Sequence, residues 1–269
     1  MTGADANGSN QHSLKRVALG KRLAGSQHVV TLGVKPNFSD YSAAEQALIR
    51  GAEKIYDPSS LYADLFHAMG KATFPSHRTY AFAQDKVKQS ALFSLTGIPH
   101  PRTRVFFGRQ KADIARYFAF PLIAKIARGS SLGRGVFLVR NASELDDYCR
   151  RSNPAYIQEY LPGDRDMRIV AIGGRVVHAY WRIAAAGEFR TNVGAGGSID
   201  LSPVPEAARR LALQTAAAGG WDDVGIDIIM HHGRFYVLEA NMKYGREGFR
   251  RAGIDYHRLL EQLIVDGTI

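Results

Sequence analysis

The sequence predicts a mixed α/β and α+β protein built from closely packed subdomains. Three observations lead there. Strand-like and helix-like stretches alternate over residues 28–78. Two strand pairs joined at glycine turns follow in the second half, with helical stretches between and after them. The length, 269 residues, exceeds one small domain and is short for three independent ones.

Composition narrows the function classes. With 45% hydrophobic and 22% charged residues the chain has a soluble globular profile, which excludes global disorder and a fibrous repeat. No apolar stretch approaches the ~18 uninterrupted residues of a membrane span. A net charge of +10 suits an anionic partner, whether nucleotide, nucleic acid, acidic peptide or membrane surface. No basic-aromatic motif of the common nucleic-acid-binding folds is present, so neither a nucleic-acid nor a membrane partner is expected. The single cysteine, Cys149, forms no intramolecular disulfide and sits in a charged helix-like stretch, where a structural role is expected. No signal-like apolar segment stands near the start, and a cytoplasmic location is the expectation.

The elements read as follows. Residues 1–27, rich in Gly, Ser, Asn and basic residues, read as a flexible basic tail, with Lys15, Arg16, Lys21 and Arg22 as its cations. Residues 28–78 read as a short α/β domain. Val29–Val34 is a strand, Ser42–Gly51 a helix with Tyr41, Ala44, Leu48 and Ile49 on its apolar side, and Lys54–Tyr56 a second strand. Ser59 caps a helix through Met69. This unit lacks a glycine-rich dinucleotide turn, so it reads as scaffold. Residues 79–155 read as a central lobe: a helix from Thr79 to Thr96 stopped by Gly97, strands Leu122–Ala127 and Val136–Arg140, and a helix from Ser143 to Arg151 with Ser143 as cap. Residues 156–269 read as a C-terminal lobe, entered through a strand at Ala155–Leu161. It holds the hairpin Asp166–Ile172 and Arg175–Ile183, a helix Glu206–Ala218, the hairpin Val224–Met230 and Arg234–Ala240, and a last helix Tyr256–Val265.

Three groups of residues carry chemistry. The loop Gly129-Ser130-Ser131-Leu132-Gly133-Arg134-Gly135 joins two strands, and its backbone N–H groups can nest phosphates. Lys125 precedes it in an apolar strand, where an ammonium needs a partner unless it snorkels to water from an edge. On the last hairpin, Glu239 and Asn241 share a face. Pairing the apolar positions places Asp227 opposite Glu239, provided a three-residue loop surrounds Gly233. Two opposed carboxylates and an amide oxygen suit Mg²⁺ or Mn²⁺ held with nucleotide phosphates; a solvated polar sheet face is the alternative. The third group is Arg168, Arg182 and Arg190. A two-residue turn at Gly173-Gly174 sets Arg168 opposite Ala179 and aims Arg182 the other way. Only a bulge or a longer turn brings both to one face.

Taken in order, the segments Gln84-Asp85-Lys86, Pro121–Lys125, Gly129–Gly135, Gln158-Glu159-Tyr160, Asp166-Met167-Arg168, Phe189–Asn192, Gly196-Gly197, Val224–Asp227 and Leu238–Asn241 resemble the ATP-grasp superfamily, most closely its RimK branch of ATP-dependent glutamate ligases. The resemblance runs from about Thr79 to the end. It implies an ATP-grasp fold, two lobes gripping ATP behind a shortened N-terminal piece, and a carboxylate–amine ligase acting through an acyl phosphate. By the same resemblance Lys86 and Lys125 meet ATP phosphates together with Gly129, Ser130, Ser131, Gly133 and Gly135. Glu159 and Tyr160 hold adenine, and Asp166 meets the ribose. Arg168, Arg182, Arg190 and Asn192 line the phosphate and acceptor side, and Asp227, Glu239 and Asn241 bind Mg²⁺ (or Mn²⁺). The implied partners are ATP and an amino-acid or peptide substrate, expected to be acidic, such as glutamate joined to an acidic acceptor. The oligomeric state stays open, a homo-oligomer included.

Two departures bear on the acceptor. Met242-Lys243-Tyr244-Gly245 replaces the small, proline-containing stretch of the family, and the N-terminal domain is about half-sized. A catalytically inactive ATP-binding regulatory module is the alternative they permit. The cations Lys243, Arg246, Arg250 and Arg251 cluster just after the expected metal ligands, where they read either as a solvated face or as a receptor for an acidic substrate.

Overall fold

The computed structural model describes residues 16–129 and 135–269. The chain divides after Phe74 into two compact units. In the first, β1 (Arg16–Ala18) and β2 (Val29–Thr31) precede α1 (Ala43–Gly51), and β3 (Lys54–Tyr56), α2 (Ser60–Ala68) and β4 (Ala72–Phe74) complete it. The strands form a parallel sheet in the order β2-β1-β3-β4. Val17, Leu19, Ile49, Ile55, Tyr62 and Phe66 make its core. Both helices start at the expected serines. Ser42 Oγ accepts from the Glu45 amide while the Glu45 carboxylate takes the Ser42 amide at 2.7 Å, a reciprocal cap, and Ser59 accepts from the Tyr62 amide.

The expected tail is corrected from Arg16 onward. Val17, Ala18 and Leu19 are fully buried, and β1 lies inside the sheet. Three residues are too few to display an alternation, and their glycine-rich, basic flanks resemble a tail. Lys15 lies outside the described residues.

The second unit opens with α3 (His77–Phe82), α4 (Lys86–Thr96), β5 (Thr103–Phe106), α5 (Ile114–Tyr117), β6 (Leu122–Lys125), β7 (Val136–Val139), α6 (Ala142–Arg151) and β8 (Ala155–Glu159). There follow β9 (Arg165–Ile172), β10 (Arg175–Ile183), β11 (Ser198–Asp200), α7 (Glu206–Gly219), β12 (Asp223–His231), β13 (Arg234–Asn241), α8 (Glu247–Arg251) and α9 (Tyr256–Val265). A small antiparallel sheet, β5-β8-β6-β7, shares a core with α5 and α6 through Phe106, Leu122, Ile157, Ile114 and Leu145. A larger antiparallel sheet runs β11-β10-β9-β12-β13 and packs one face on α4 and α7, burying Phe93, Ile169, Leu211, Trp221 and Ile226. Strand alternation then assigns the other face of β12 to Asp223, Gly225 and Asp227.

Three sequence expectations shift, and some short elements have no counterpart among them. The single helix Thr79–Thr96 is two helices, broken where Gln84 takes a φ of +59° and Asp85 caps α4 through the Lys88 amide at 3.0 Å. Asn141, not Ser143, caps α6 by accepting from the Glu144 amide at 3.0 Å. β8 pairs with β5 and β6, so the small sheet keeps residues through Glu159 and the expected boundary at 155/156 moves. The short elements β4, β5, β11, α5 and α8 carry too few residues for a period.

Both hairpins contain one extra residue. At the first turn Gly173 and Gly174 have φ of +56° and +77°, the left-handed pair a two-residue hairpin requires. Val177 then stands outside the ladder, since Val176 pairs with Ala171 and His178 with Val170. The second turn is also two residues long, His232-Gly233, where a three-residue loop was expected. Leu238 is the extra residue there, and it restores the expected pairing of Asp227 with Glu239.

β13 lies at the sheet's edge, and its outer side is satisfied by the chain before it. Gln89 on α4 donates to the Ala240 carbonyl at 2.8 Å and accepts from the Ala240 amide at 3.0 Å, while the Val237 amide donates to the Pro99 carbonyl at 2.8 Å. Gln89→Leu removes both amide bonds and strands two buried backbone groups. Urea unfolding should show a loss of about 2–4 kcal/mol; a loss below ~0.5 kcal/mol would mean that Ala240 does not depend on Gln89.

Candidate active site

The site lies on the polar face of the large sheet. Tyr180, Arg168, Asp227 and Glu239 form one row across β10, β9, β12 and β13, and Arg182 pairs with Asp166 in a neighbouring row. The Val177 bulge is what aligns them: with it, Arg168 faces Tyr180 and both arginines reach Asp227. The conditional raised by the sequence, convergence only with a bulge, is met.

Buried charges here hold one another. Arg168 donates to both Asp227 oxygens, from Nε to Oδ1 and from Nη2 to Oδ2 at 2.9 Å. Arg182 Nη2 lies 3.0 Å from Asp227 Oδ2, and Arg182 forks onto Asp166 at 2.7 and 2.6 Å. Thr191 Oγ1 donates to Asp166 Oδ2 at 2.7 Å, and Asn241 Nδ2 to Asp227 Oδ2 at 3.1 Å. Burial pushes the Asp227 carboxyl up, but Arg168 and Arg182 outweigh it and hold it below its ordinary value. Burial likewise opposes charge on Arg182, and Asp166 and Asp227 more than offset it, so the guanidinium stays charged.

Lysines come from outside the sheet. Lys86, at the start of α4, sits 3.0 Å from Glu239 Oε1. Lys125, at the end of β6, donates to the Leu238 carbonyl at 3.4 Å, the carbonyl of the bulged residue. Burial drives the Lys125 ammonium down to about 8, with Glu239 pulling the other way. Lys125 is therefore a buried lysine with a partner and not one that snorkels to water, the alternative the sequence left open. Arg190 lies on the loop after β10; its Nη2 is 2.6 Å from Glu188, whose carboxyl it holds down at about 2, and its buried Nε has no hydrogen-bond partner among the described residues.

One cavity of about 220 Å³ gathers these groups. Lys86, Lys125, Gly135, Glu159, Tyr160, Asp166, Arg168, Arg182, Arg190, Asn192, Asp227, Glu239 and Asn241 all line it. Gly129 does not; its amide bonds to the Gln84 carbonyl at 3.1 Å. Ser130, Ser131 and Gly133 lie outside the described residues. Ile123, Val136, Leu161, Ile229 and Leu238 add apolar wall. The sequence reading missed Thr191, Glu188 and the Leu238 carbonyl. Thr191 lies inside the Phe189–Asn192 segment and Glu188 directly precedes it; a bulged carbonyl has no sequence signal. Asp166, expected at a ribose, has both oxygens engaged by Arg182 and Thr191.

A family model for the RimK-like ATP-grasp domain matches residues 83–264. The chain belongs to the RimK-like ATP-grasp family. Beta-citrylglutamate synthase B of Danio rerio is 33% identical over 180 residues, which are 63% of this chain and 44% of that protein. Probable alpha-L-glutamate ligase 2 of Pseudoalteromonas atlantica is 32% identical over 74% of this chain and 69% of its own. The chain therefore spans less than half the length of the first of these relatives. A solved RimK domain protein from Sphaerobacter thermophilus superposes with a TM-score of 0.67 at 18% identity, over 93% of this chain and 99% of that one, a likeness of fold. The RimK-like match begins at Ala83, just before Lys86, and ends inside α9, so it contains every residue lining the cavity.

Among the described residues, no three His, Cys, Asp or Glu side chains form a metal-binding group by themselves. Among the described residues, no helix is long and apolar enough to cross a membrane. Of the four clustered cations, only Lys243 lines the cavity.

Arg182 contacts both buried acids, and its loss leaves Asp227 to Arg168 and Asn241 and leaves Asp166, among the described residues, with the Thr191 hydroxyl. Arg182→Met should cost about 3–5 kcal/mol of stability by urea or thermal unfolding. Near-wild-type stability would show that water replaces the arginine.

Proposed function

We propose that this RimK-like domain is an ATP-dependent, ADP-forming carboxylate–amine ligase that joins an amino acid, glutamate, to an acidic acceptor. The observation that carries the reading is the cavity, in which six cationic, five acidic and three side-chain amide residues, among those described, surround a space about 220 Å³ in volume. The names of both relatives quoted above contain glutamate, which supports that choice of substrate.

A substrate carboxylate would attack the terminal phosphorus of ATP, forming the acyl phosphate and releasing ADP. An amine then attacks the acyl carbon, phosphate leaves, and the amine's proton passes to solvent. The protein's part is to align three reactants and to face the transferred phosphoryl group with fixed positive charge. Lys86 and Lys125 approach from the helix and small-sheet side. Arg168, Arg182 and Arg190 stand on the large-sheet side. The backbone near Glu159 and Tyr160, with the apolar wall, suits the adenine; Asn192 lies toward the acceptor. Asp166 acts through Arg182 by fixing its orientation.

The donor set fits Mg²⁺ (or Mn²⁺). Among the described residues, Glu239 has only Oε1 engaged, by Lys86; Asp227 Oδ1 takes one donor; and Asn241 uses its Nδ2 on Asp227, which leaves its oxygen for a cation. One or two carboxylates with waters and phosphates are what Mg²⁺ takes. When bound, the ion would neutralise charge on the phosphate oxygens.

Two measurements test this reading. Glu239→Gln keeps shape and removes a charge, so amino-acid-stimulated, Mg²⁺-dependent ADP formation should fall by at least ~10²-fold. Unchanged turnover would remove Glu239 from the site, and ATP binding without ADP formation for any amino acid would leave only the inactive ATP-binding module. The second concerns Lys125. Phosphates beside it favour its charged form, so nucleotide binding near pH 8 should take up a proton. Affinity should then hold below pH 8 and fall by up to ~10-fold per pH unit above it. Calorimetry in buffers of different ionisation enthalpy reads the proton directly. Lys125→Met should abolish both the uptake and the pH dependence; uptake that persists in this variant would assign the proton elsewhere.

A further inference from the structure

The Met242–Gly245 segment, where this chain departs from its family's pattern, is pinned on two sides and presents one side chain. Lys243 stands in the bend just past the end of β13, exposed, and lines the cavity with Glu239 and Asn241 of that strand. Met242 packs into the large-sheet core. The Tyr244 hydroxyl donates to the fully buried Asp223 at 2.5 Å and lies 3.0 Å from that of Tyr256. Gly225 makes room for this contact: a Cβ there would come within 2.9 Å of Tyr244 Cβ and 3.0 Å of Arg168 Cδ.

Charge pairing separates Lys243 from its neighbours. Arg250 and Arg251 are taken by Glu247, the second at 3.6 Å, and Arg246 lies 4.7 Å over the Tyr256 ring. Inside the cavity Arg168 and Arg182 are matched by Asp227 and Asp166, Lys86 by Glu239 and Arg190 by Glu188. Among the described residues, two lining cations have no carboxylate in salt-bridge contact. Lys125 is buried against the Leu238 carbonyl, and Lys243 stands at the rim. An ATP phosphate satisfies the first. The second is left for another anion.

Building on the ligase reading above, we propose that Lys243 is a specificity-determining residue. It receives a carboxylate of the amino-acid substrate other than the one that reacts, and so selects a dicarboxylic amino acid over its amide. The Tyr244–Asp223 bond positions it, and the other three cations of the cluster take no part.

The probe is L-glutamate, titrated by calorimetry into the full chain loaded with Mg²⁺ and a non-hydrolysable ATP analogue. Lys243→Gln should weaken glutamate binding at least ~10-fold and Lys243→Arg by no more than ~3-fold, as expected for loss or retention of one charge-assisted bond. Nucleotide affinity should stay within about twofold in both, since a charge at the rim away from the phosphates is largely screened. One of the two monoamides, L-glutamine or L-isoglutamine, should bind the wild type as weakly as glutamate binds Lys243→Gln, and that variant should not distinguish it from glutamate. Equal glutamate affinity in the wild type and Lys243→Gln overturns the proposal, as does an absence of saturable glutamate binding to the wild type. ADP and amide product, followed on the same preparations, separate the two readings. Lys243-dependent glutamate binding without ADP formation would sink the ligase reading and leave Lys243 in place. Glutamate-stimulated ADP formation with an unchanged Lys243→Gln would do the reverse.

Discussion

Asp227 is a carboxylate in the middle of a sheet, 5% exposed, with β9 on one side and β13 on the other. Its charge is costly there unless compensated, and Arg168 and Arg182 supply the compensation from two different strands. Those arginines are themselves held: Arg182 forks onto Asp166, which Thr191 ties to the loop beyond β10. Three strands and a loop are therefore locked around one acidic group. Each member is stable only because the others are present, which gives the face a single arrangement.

That arrangement depends on two departures from regular pairing. The bulge at Val177 shifts β10 by one residue against β9, so Arg168 meets Tyr180 and Arg182 meets Asp166. Without it, side-chain alternation would turn one arginine to the apolar face, where α7 packs. The bulge at Leu238 restores the pairing of Asp227 with Glu239 after a two-residue turn, and its carbonyl accepts from Lys125. One irregularity thus sets a register and also bridges the two sheets. Bulges placed beside a site in this way re-aim side chains at little cost to the rest of the sheet.

What was legible in the sequence follows the range of the forces involved. Caps and turns are local: Ser42, Ser59, Gly97 and Gly173-Gly174 all act where their chemistry indicates. The longer strands and α9 show their periods. Strands of three or four residues, such as β1, β4 and β11, have no period to show, and β1 was taken for tail although it lies inside its sheet. The site residues were legible as types and order, and the described ones converge on the cavity, Gly129 excepted. Their pairing was not legible, because neither Val177 nor Leu238 differs from an ordinary strand residue. The three-residue loop assumed around Gly233 was mistaken, and Leu238 made good the difference. Nor could the sequence choose among Lys243, Arg246, Arg250 and Arg251. That depends on Glu247, which takes Arg250 and Arg251 as i+3 and i+4 neighbours once α8 forms, and on Tyr256, which packing brings to Arg246.

Helix α4 explains how an edge strand can carry such a site. β13 has one free side, and an unsupported edge would let Glu239 and Asn241 drift. Gln89 binds both backbone groups of Ala240, between those two residues, and Lys86, one turn earlier on the same helix face, meets the Glu239 carboxylate. The same rigid element therefore fixes the strand's backbone and places the lysine against the acid. Because the residues are i and i+3 on one helix, the lysine cannot move far from the carboxylate without disturbing the amide clamp. The positive charge and the carboxylate are thereby held at a set separation, and under the proposed ligase function an incoming phosphate would meet an electrostatic arrangement that does not have to be assembled around it.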